Sequence, residues 1–221
     1  MKLETYDAVI FDMDGVLIDS EPLWKIAMEE VFHSVGCFIS KKDFQHTVGL
    51  RIDEVVIFWY NKVGWLDKSP EAVEQMIIDR MVALIRENGF PLPGVVETLT
   101  FLKKENKKIG LATSSYKVLI ETVLDVLKLK SFFHFVHSAE DEMYGKPHPA
   151  VYLTVANRLH VDATKCLVIE DSLNGIISGK AAKMDVVCIP EKTHNPEPRL
   201  MLADYQFDTM LDLLSTLKTD M

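Results

Sequence analysis

The chain has 221 residues, 48% of them hydrophobic and 26% charged, enough apolar material to bury a core in one or two domains. That balance excludes wholesale disorder, collagen-like repeats and a multi-span membrane protein. With 24 Lys+Arg against 33 Asp+Glu the formal charge is −9, which repels phosphate backbones and argues against nucleic-acid partners.

The opening segment, Met1 to Asp7, is too charged for a signal peptide, and no apolar run approaches the roughly 20 residues that span a bilayer. A cytoplasmic protein with no membrane partner is expected. The first apolar run, Ala8-Val9-Ile10-Phe11, is short and uninterrupted, as in a strand covered on both faces. From about Ser20 to Asn88 the pattern becomes helical, with Ile26, Glu29, Glu30 and Phe32 on one segment and Val73, Met76, Ile77, Arg80, Met81 and Leu84 on another. Between them the run Val55 to Tyr60 has polar flanks and a length that favour helix over strand. The strand rhythm then returns after Pro93-Gly94, with runs at Ile109 to Ala112, Phe135-Val136, Leu167 to Ile169 and Val186 to Ile189. Helical spacings separate them: Val95, Leu99 and Leu102; Leu119, Val123, Val126 and Leu127; Val151, Val155 and Leu159. Alternating strands and helices predict an α/β fold, a doubly wound (Rossmann-like) parallel sheet. An inserted small α-helical cap is expected over 20–89, with the core formed by 1–19 and 90–221. Pro190 to Pro198 reads as an exposed loop. Cys37, Cys166 and Cys188 form no C-x-x-C pair and read as buried thiols. The seven histidines (33, 46, 134, 137, 148, 160 and 194) show no metal-ligand spacing.

An open parallel sheet binds ligands beyond the carboxyl ends of its strands. The residues just past each apolar run are therefore the candidate site. Asp12 and Asp14 come after the first, and Gly15 permits the turn that could bring both carboxylates into one cavity. Thr113, Ser114 and Ser115 come after the second and precede a helix, where hydroxyls and free N–H groups suit a phosphate. Lys146 lies in the Gly145-Lys146-Pro147 loop and offers a charge to a phosphate or to a carboxylate. Glu170 and Asp171 come after the fourth. Taken alone, Asp-x-Asp-Gly is most simply a cap and a turn. Four carboxylates converging on one rim instead call for a cation, and oxygen-only ligands favour Mg²⁺.

The segments Asp12-Met13-Asp14-Gly15-Val16-Leu17-Ile18-Asp19-Ser20, Ala112-Thr113-Ser114, Gly145-Lys146-Pro147 and Ile169-Glu170-Asp171-Ser172 together resemble the four motifs of the haloacid dehalogenase superfamily. The match runs in order along essentially the whole chain. The helical insert is similar to the cap of the β-phosphoglucomutase-like branch. Ser20-Glu21-Pro22-Leu23-Trp24, Gly49-Leu50-Arg51-Ile52-Asp53 and Trp59-Tyr60 resemble the hexitol phosphatase / 2-deoxyglucose-6-phosphate phosphatase group.

The resemblance implies a phosphoric monoester hydrolase that acts on small sugar or polyol phosphates; a monomer is expected ahead of an oligomer. Asp12 would be the nucleophile and Asp14 the acid and base. Mg²⁺ would be held by Asp12, the Asp14 carbonyl and Asp171, with Glu170 acting through water and Asn174 further out. Thr113, Ser114 and Lys146 would hold the phosphoryl oxygens. Substrate choice would fall to the cap, with Trp24, Leu50, Arg51, Trp59 and Tyr60 as candidates to face the leaving group; Trp59 and Tyr60 read more simply as cap core, and a solvated charge or cap ion pair is the alternative for Arg51. A dehalogenase needs neither Asp14 nor Asp171, and a phosphonate hydrolase would lack the Asp14 acid and use a cap lysine. A non-catalytic binding module needs no such complete set. A β-phosphoglucomutase-type mutase shares every core motif, and Trp24 stands where its cap histidine would align.

Overall fold

In a computed structural model, described over residues 1–39, 47, 50–190 and 197–219, six parallel strands form one sheet in the order β3-β2-β1-β4-β5-β6. The strands are β1 (Ala8–Phe11), β2 (Lys108–Thr113), β3 (Phe135–Ser138), β4 (Cys166–Glu170), β5 (Asp185–Cys188) and β6 (Tyr205–Gln206). The helices are α1 (Glu21–Ser34), α2 (Ile52–Lys62), α3 (Pro70–Asn88), α4 (Val95–Lys104), α5 (Lys117–Val126), α6 (Ala150–Arg158), α7 (Leu173–Ala181) and α8 (Met210–Thr219).

Side chains alternate across a strand, and here both sides are apolar. Val9, Phe11, Ile109, Leu111, Leu167 and Ile169 join one core cluster, while Ala8, Ile10, Ala112, Cys166 and Val168 join another. The first cluster includes residues of α4, α5 and α8, and the second residues of α6 and α7. β1 lies between β2 and β4, with Phe11 level with Leu111 and Ile169. Strand order reverses at this point, so the carboxyl ends of β1 and β4 open onto a shared crevice.

All five expected strands are present. Three elements were not anticipated, β6, α7 and α8. β6 is only two residues long and has no apolar run to announce it. α8 buries Met210, Leu213, Leu214 and Leu217, a regular helical spacing. α1 turns a different face inward from the one its expected pattern suggests. Leu23, Ala27, Val31 and Phe32 are buried, Ile26 is exposed, and Glu30 reaches outward to Arg80 of α3 at 2.6 Å. The Leu23-Ala27-Val31 stripe is the true i, i+4, i+8 row. α2 is a helix, as its flanks indicated.

The three helices between β1 and α4 leave and rejoin the sheet by two adjacent segments. Ile18 bridges Pro91, and the Leu92 N–H donates to the Leu17 carbonyl at 3.0 Å. Among the described residues these helices form no core cluster of their own. Val73, Ile77 and Met81 of α3 belong to the same cluster as Leu119 and Val123 of α5, and Tyr116 donates to Glu74 at 2.6 Å. Among the described residues no helix is long and apolar enough to cross a membrane. Gly49, His46 and His194, and residues 191–196 of the expected loop, lie outside the described residues.

Candidate active site

A cavity of about 210 Å³ opens at the carboxyl end of the sheet, between the strand ends and α1 and α2. Asp12, Asp14, Thr113, Ser114, Lys146, Asp171 and Asn174 line it from the core side, and Trp24, Leu50 and Arg51 from the helical side. Most of the residues singled out in sequence thus meet in one space. Glu170 lies beneath it, completely buried.

β1 delivers Asp12 into the crevice, where its N–H donates to the Ile169 carbonyl at 3.0 Å. Lys146 Nζ donates to Asp12 Oδ1 at 2.8 Å, Glu170 Oε1 at 2.7 Å and the Ala112 carbonyl at 3.1 Å. An ammonium has three donors, so all are engaged. Lys146 therefore braces the two carboxylates from the cavity wall. Burial alone would favour a neutral Lys146, but Asp12 and Glu170 reverse this and hold its pKa above the ordinary value.

Glu170 is equally committed. Its Oε1 also accepts from the Tyr152 hydroxyl at 2.6 Å, and its Oε2 accepts from the N–H groups of Asp171 and Ser172 and from Ser172 Oγ. Burial raises its pKa, Lys146 outweighs it, and the carboxyl lies below its usual range. Gly175 on α7 makes the arrangement possible, since a Cβ there would sit 1.7 Å from Glu170 Oε1.

Asp12 and Asp171 are held otherwise. Burial, opposed by Lys146 and reinforced by Glu170 and Asp14, leaves Asp12 above the usual carboxylate pKa. Burial together with Glu170 and Asp12 raises Asp171 well above it. Among the described residues no hydrogen-bond donor reaches Asp12 Oδ2 or the Asp171 carboxylate. Asp12, Glu170 and Asp171 each bring one carboxylate oxygen within 4.8 Å of the others. Four carboxylates, counting Asp14, face a single ammonium, and two of them keep open oxygens. That donor set fits a hard divalent cation such as Mg²⁺. Gly15, at φ +70°, makes the turn after Asp14, and a Cβ there would sit 2.1 Å from Asp171 Oδ2.

Asp14 faces a different environment. Its Oδ1 accepts from Ser20 Oγ at 2.5 Å and Trp24 Nε1 at 3.2 Å, and its Oδ2 from Ser115 Oγ at 2.6 Å. The Asp14 carboxylate is absent from the Asp12, Glu170 and Asp171 group. Thr113 is buried at the end of β2, its Oγ1 accepting from the Ser115 N–H at 3.1 Å, while Ser114 is half-buried on the cavity wall.

Two cap candidates, Trp59 and Tyr60, fall outside the site. Trp59 is buried in the core cluster, and Tyr60 packs edge-on against Trp65; neither lines the cavity. Both lie beyond the first turn of α2, the turn whose Ile52 and Val55 reach the cavity. Trp24 does line it, but its indole N–H is on Asp14. Arg51 lines it with Nε and Nη2 on the Asp53 carboxylate and Nη1 at 3.5 Å from the Ala139 carbonyl. Sequence reasoning missed Tyr152, which reads as one more apolar position of α6. It also missed Ser20 and Ser115 as the hydroxyls that grip Asp14.

The model of the family described as haloacid dehalogenase-like hydrolase matches residues 9–189. Hexitol phosphatase B of Escherichia coli K12 is 42% identical over 207 residues, covering 93% of each chain. The phosphorylated carbohydrates phosphatase of Thermotoga maritima is 32% identical over 179 residues, covering 81% of this chain and 82% of that protein. Among solved structures, a β-phosphoglucomutase from Clostridium difficile aligns with a TM-score of 0.82 at 27% identity, covering 97% and 96% of the two chains. CbbY from Rhodobacter sphaeroides, solved with phosphate, aligns at 0.88 and 22% identity over 96% and 99%, a likeness of fold.

Proposed function

The chain belongs to the haloacid dehalogenase-like hydrolases, and on that premise we propose that it is a Mg²⁺-dependent phosphatase of small sugar or polyol phosphates, hexitol phosphates and 2-deoxyglucose 6-phosphate among them. One observation carries the chemistry: two carboxylates two residues apart share a cavity but have different partners. Asp12 is braced by Lys146 with an oxygen left open, whereas Asp14 sits among hydroxyls and an indole.

Asp12 attacks phosphorus, the bond to the leaving oxygen breaks, and an aspartyl-phosphate forms. Asp14 gives its proton to the departing alkoxide. It then takes a proton from the water that attacks the aspartyl-phosphate, releasing inorganic phosphate and restoring Asp12. Thr113 and Ser114 hold the phosphoryl oxygens at the end of β2, and Lys146 keeps Asp12 oriented. Asp12, Asp171 and the Asp14 carbonyl would hold Mg²⁺, with Glu170 behind them. When bound, it supplies the charge neutralisation that lets a carboxylate approach a phosphate dianion.

Residues 20–89 act as a cap, and core residues 1–19 and 90–221 carry the chemistry. Arg51, the cap residue that spans to the Ala139 carbonyl, offers its remaining N–H groups to hydroxyls of the leaving group. The relatives named as phosphatases of hexitols and phosphorylated carbohydrates support this substrate class. A steady-state screen of phosphomonoesters with Mg²⁺ tests it. Phosphate release from hexitol and hexose 6-phosphates is expected. Conversion of β-glucose 1-phosphate to the 6-phosphate without release would instead identify a mutase.

A further inference from the structure

Sequence alone places Trp24 against the leaving group, yet its polar atom points at the acid. The indole N–H is a donor and nothing else, so Asp14 Oδ1, 3.2 Å away, must accept. Ser20 Oγ donates to the same oxygen at 2.5 Å. Both donors come from the start of α1, where the Trp24 N–H bonds to the Ser20 carbonyl at 2.9 Å and i, i+4 spacing places their side chains on one helix face. The Trp24 ring packs against the core cluster, which fixes the direction of the N–H.

Among the described residues the other oxygen, Oδ2, meets only a hydroxyl, Ser115 Oγ at 2.6 Å, from the loop between β2 and α5. A hydroxyl donates or accepts by rotating, so it accommodates a proton on Oδ2. The indole cannot do the same for Oδ1. The two oxygens are therefore inequivalent. We infer that Trp24 is a positioning residue for Asp14, its indole N–H holding Oδ1 so that Oδ2 is the oxygen presented to the leaving group. This rests on the proposed acid–base role of Asp14 and adds to it the residue that aims the acid.

The test is leaving-group dependence. p-Nitrophenolate departs without a proton, whereas the alkoxide of a hexitol 6-phosphate needs one. Asp14→Asn should therefore slow first-turnover release of the alcohol from the hexitol ester far more than release of p-nitrophenolate, a readout that precedes the aspartyl-phosphate hydrolysis in which Asp14 serves both esters alike. If it slows both alike, the acid role of Asp14 fails, and the inference about Trp24 falls with it. Given that split, Trp24→Phe, which keeps a ring and removes the N–H, should lower the first-turnover rate of alcohol release about 5- to 20-fold on the hexitol ester and under about 2-fold on p-nitrophenyl phosphate. In the Asp14→Asn background it should add no further loss, because the two residues act as one unit. Ser20→Ala removes the other Oδ1 donor and should reproduce the same split, which keeps the inference testable if Trp24→Phe does not fold. Equal losses on both esters, a change confined to KM for the hexitol ester, or additivity with Asp14→Asn would each overturn it; the second would return Trp24 to contact with the sugar.

Discussion

Among the described residues Lys146 is the one cation bonded into the nest of carboxylates, so replacing it with Met tests how the site is held together. The side chain is buried and bonded to Asp12, Glu170 and the Ala112 carbonyl, at 2.8, 2.7 and 3.1 Å. Lys146→Met keeps the length of the chain and removes the charge. Breaking a buried pair in this way strands the partners, typically at a cost of about 3–5 kcal/mol. For a chain of this size that corresponds to a fall in Tm of about 6–20 °C. The pH dependence gives the cause away. In the native protein Glu170 has a depressed pKa, so it contributes stability that is present above its unfolded-state pKa and lost as pH falls through the folded value. Without Lys146 the folded pKa values of Glu170 and Asp12 rise, and a raised carboxylate destabilises the fold as pH increases. The gap between wild type and variant should therefore narrow by at least half between about pH 8 and pH 5. Urea denaturation in EDTA, followed by tryptophan fluorescence, measures both quantities. A deficit under about 1 kcal/mol, or one that does not change with pH, would refute the reasoning.

Individual contacts carry further expected outcomes. Gly15→Ala places a Cβ where Asp171 Oδ2 now sits and strains a positive φ, so the Mg²⁺ concentration for half-maximal activity should rise roughly 10-fold or more; an unchanged metal requirement would contradict this. Arg51→Ala should cut kcat/KM on hexitol phosphates about 10- to 150-fold and spare p-nitrophenyl phosphate. Equal losses would make Arg51 a strut between Asp53 and the Ala139 carbonyl. Cys37, Cys166 and Cys188 are all buried, and burial pushes the Cys166 and Cys188 thiols up to about 12. The native protein should thus resist Ellman's reagent until unfolded, whereas rapid labelling before unfolding would disprove their burial.

The strands were legible because a parallel sheet needs apolar residues on both sides, and runs such as Ala8 to Phe11 and Leu167 to Ile169 have no other common origin. Their polar endings gave away the rim, which is why Asp12, Asp14, Thr113, Lys146 and Asp171 were found in one cavity. Elements that announce themselves less were lost. β6 pairs only Tyr205 and Gln206 at the edge, and α7 carries Gly175 and Gly179, whose absent side chains admit Glu170 and Val186. Contacts between distant elements left no local trace. Nothing about Tyr152 in its helix signals the hydroxyl it gives Glu170, and nothing about Trp24 distinguishes a sugar platform from a donor to Asp14. Trp59 and Tyr60 stayed ambiguous because an aromatic pair beside a site reads alike whether it faces ligand or core; the core reading is the one the structure shows.

The central claim is that Asp12 becomes phosphorylated during turnover. Rapid acid quench of wild type with Mg²⁺ and a hexitol 6-phosphate, followed by peptide mass spectrometry, tests it directly. The account predicts a transient mass increase of one phosphoryl group on the peptide containing Asp12, absent from a folded Asp12→Asn variant that releases no phosphate. Turnover by Asp12→Asn, or wild-type hydrolysis with the label on another residue, would contradict it.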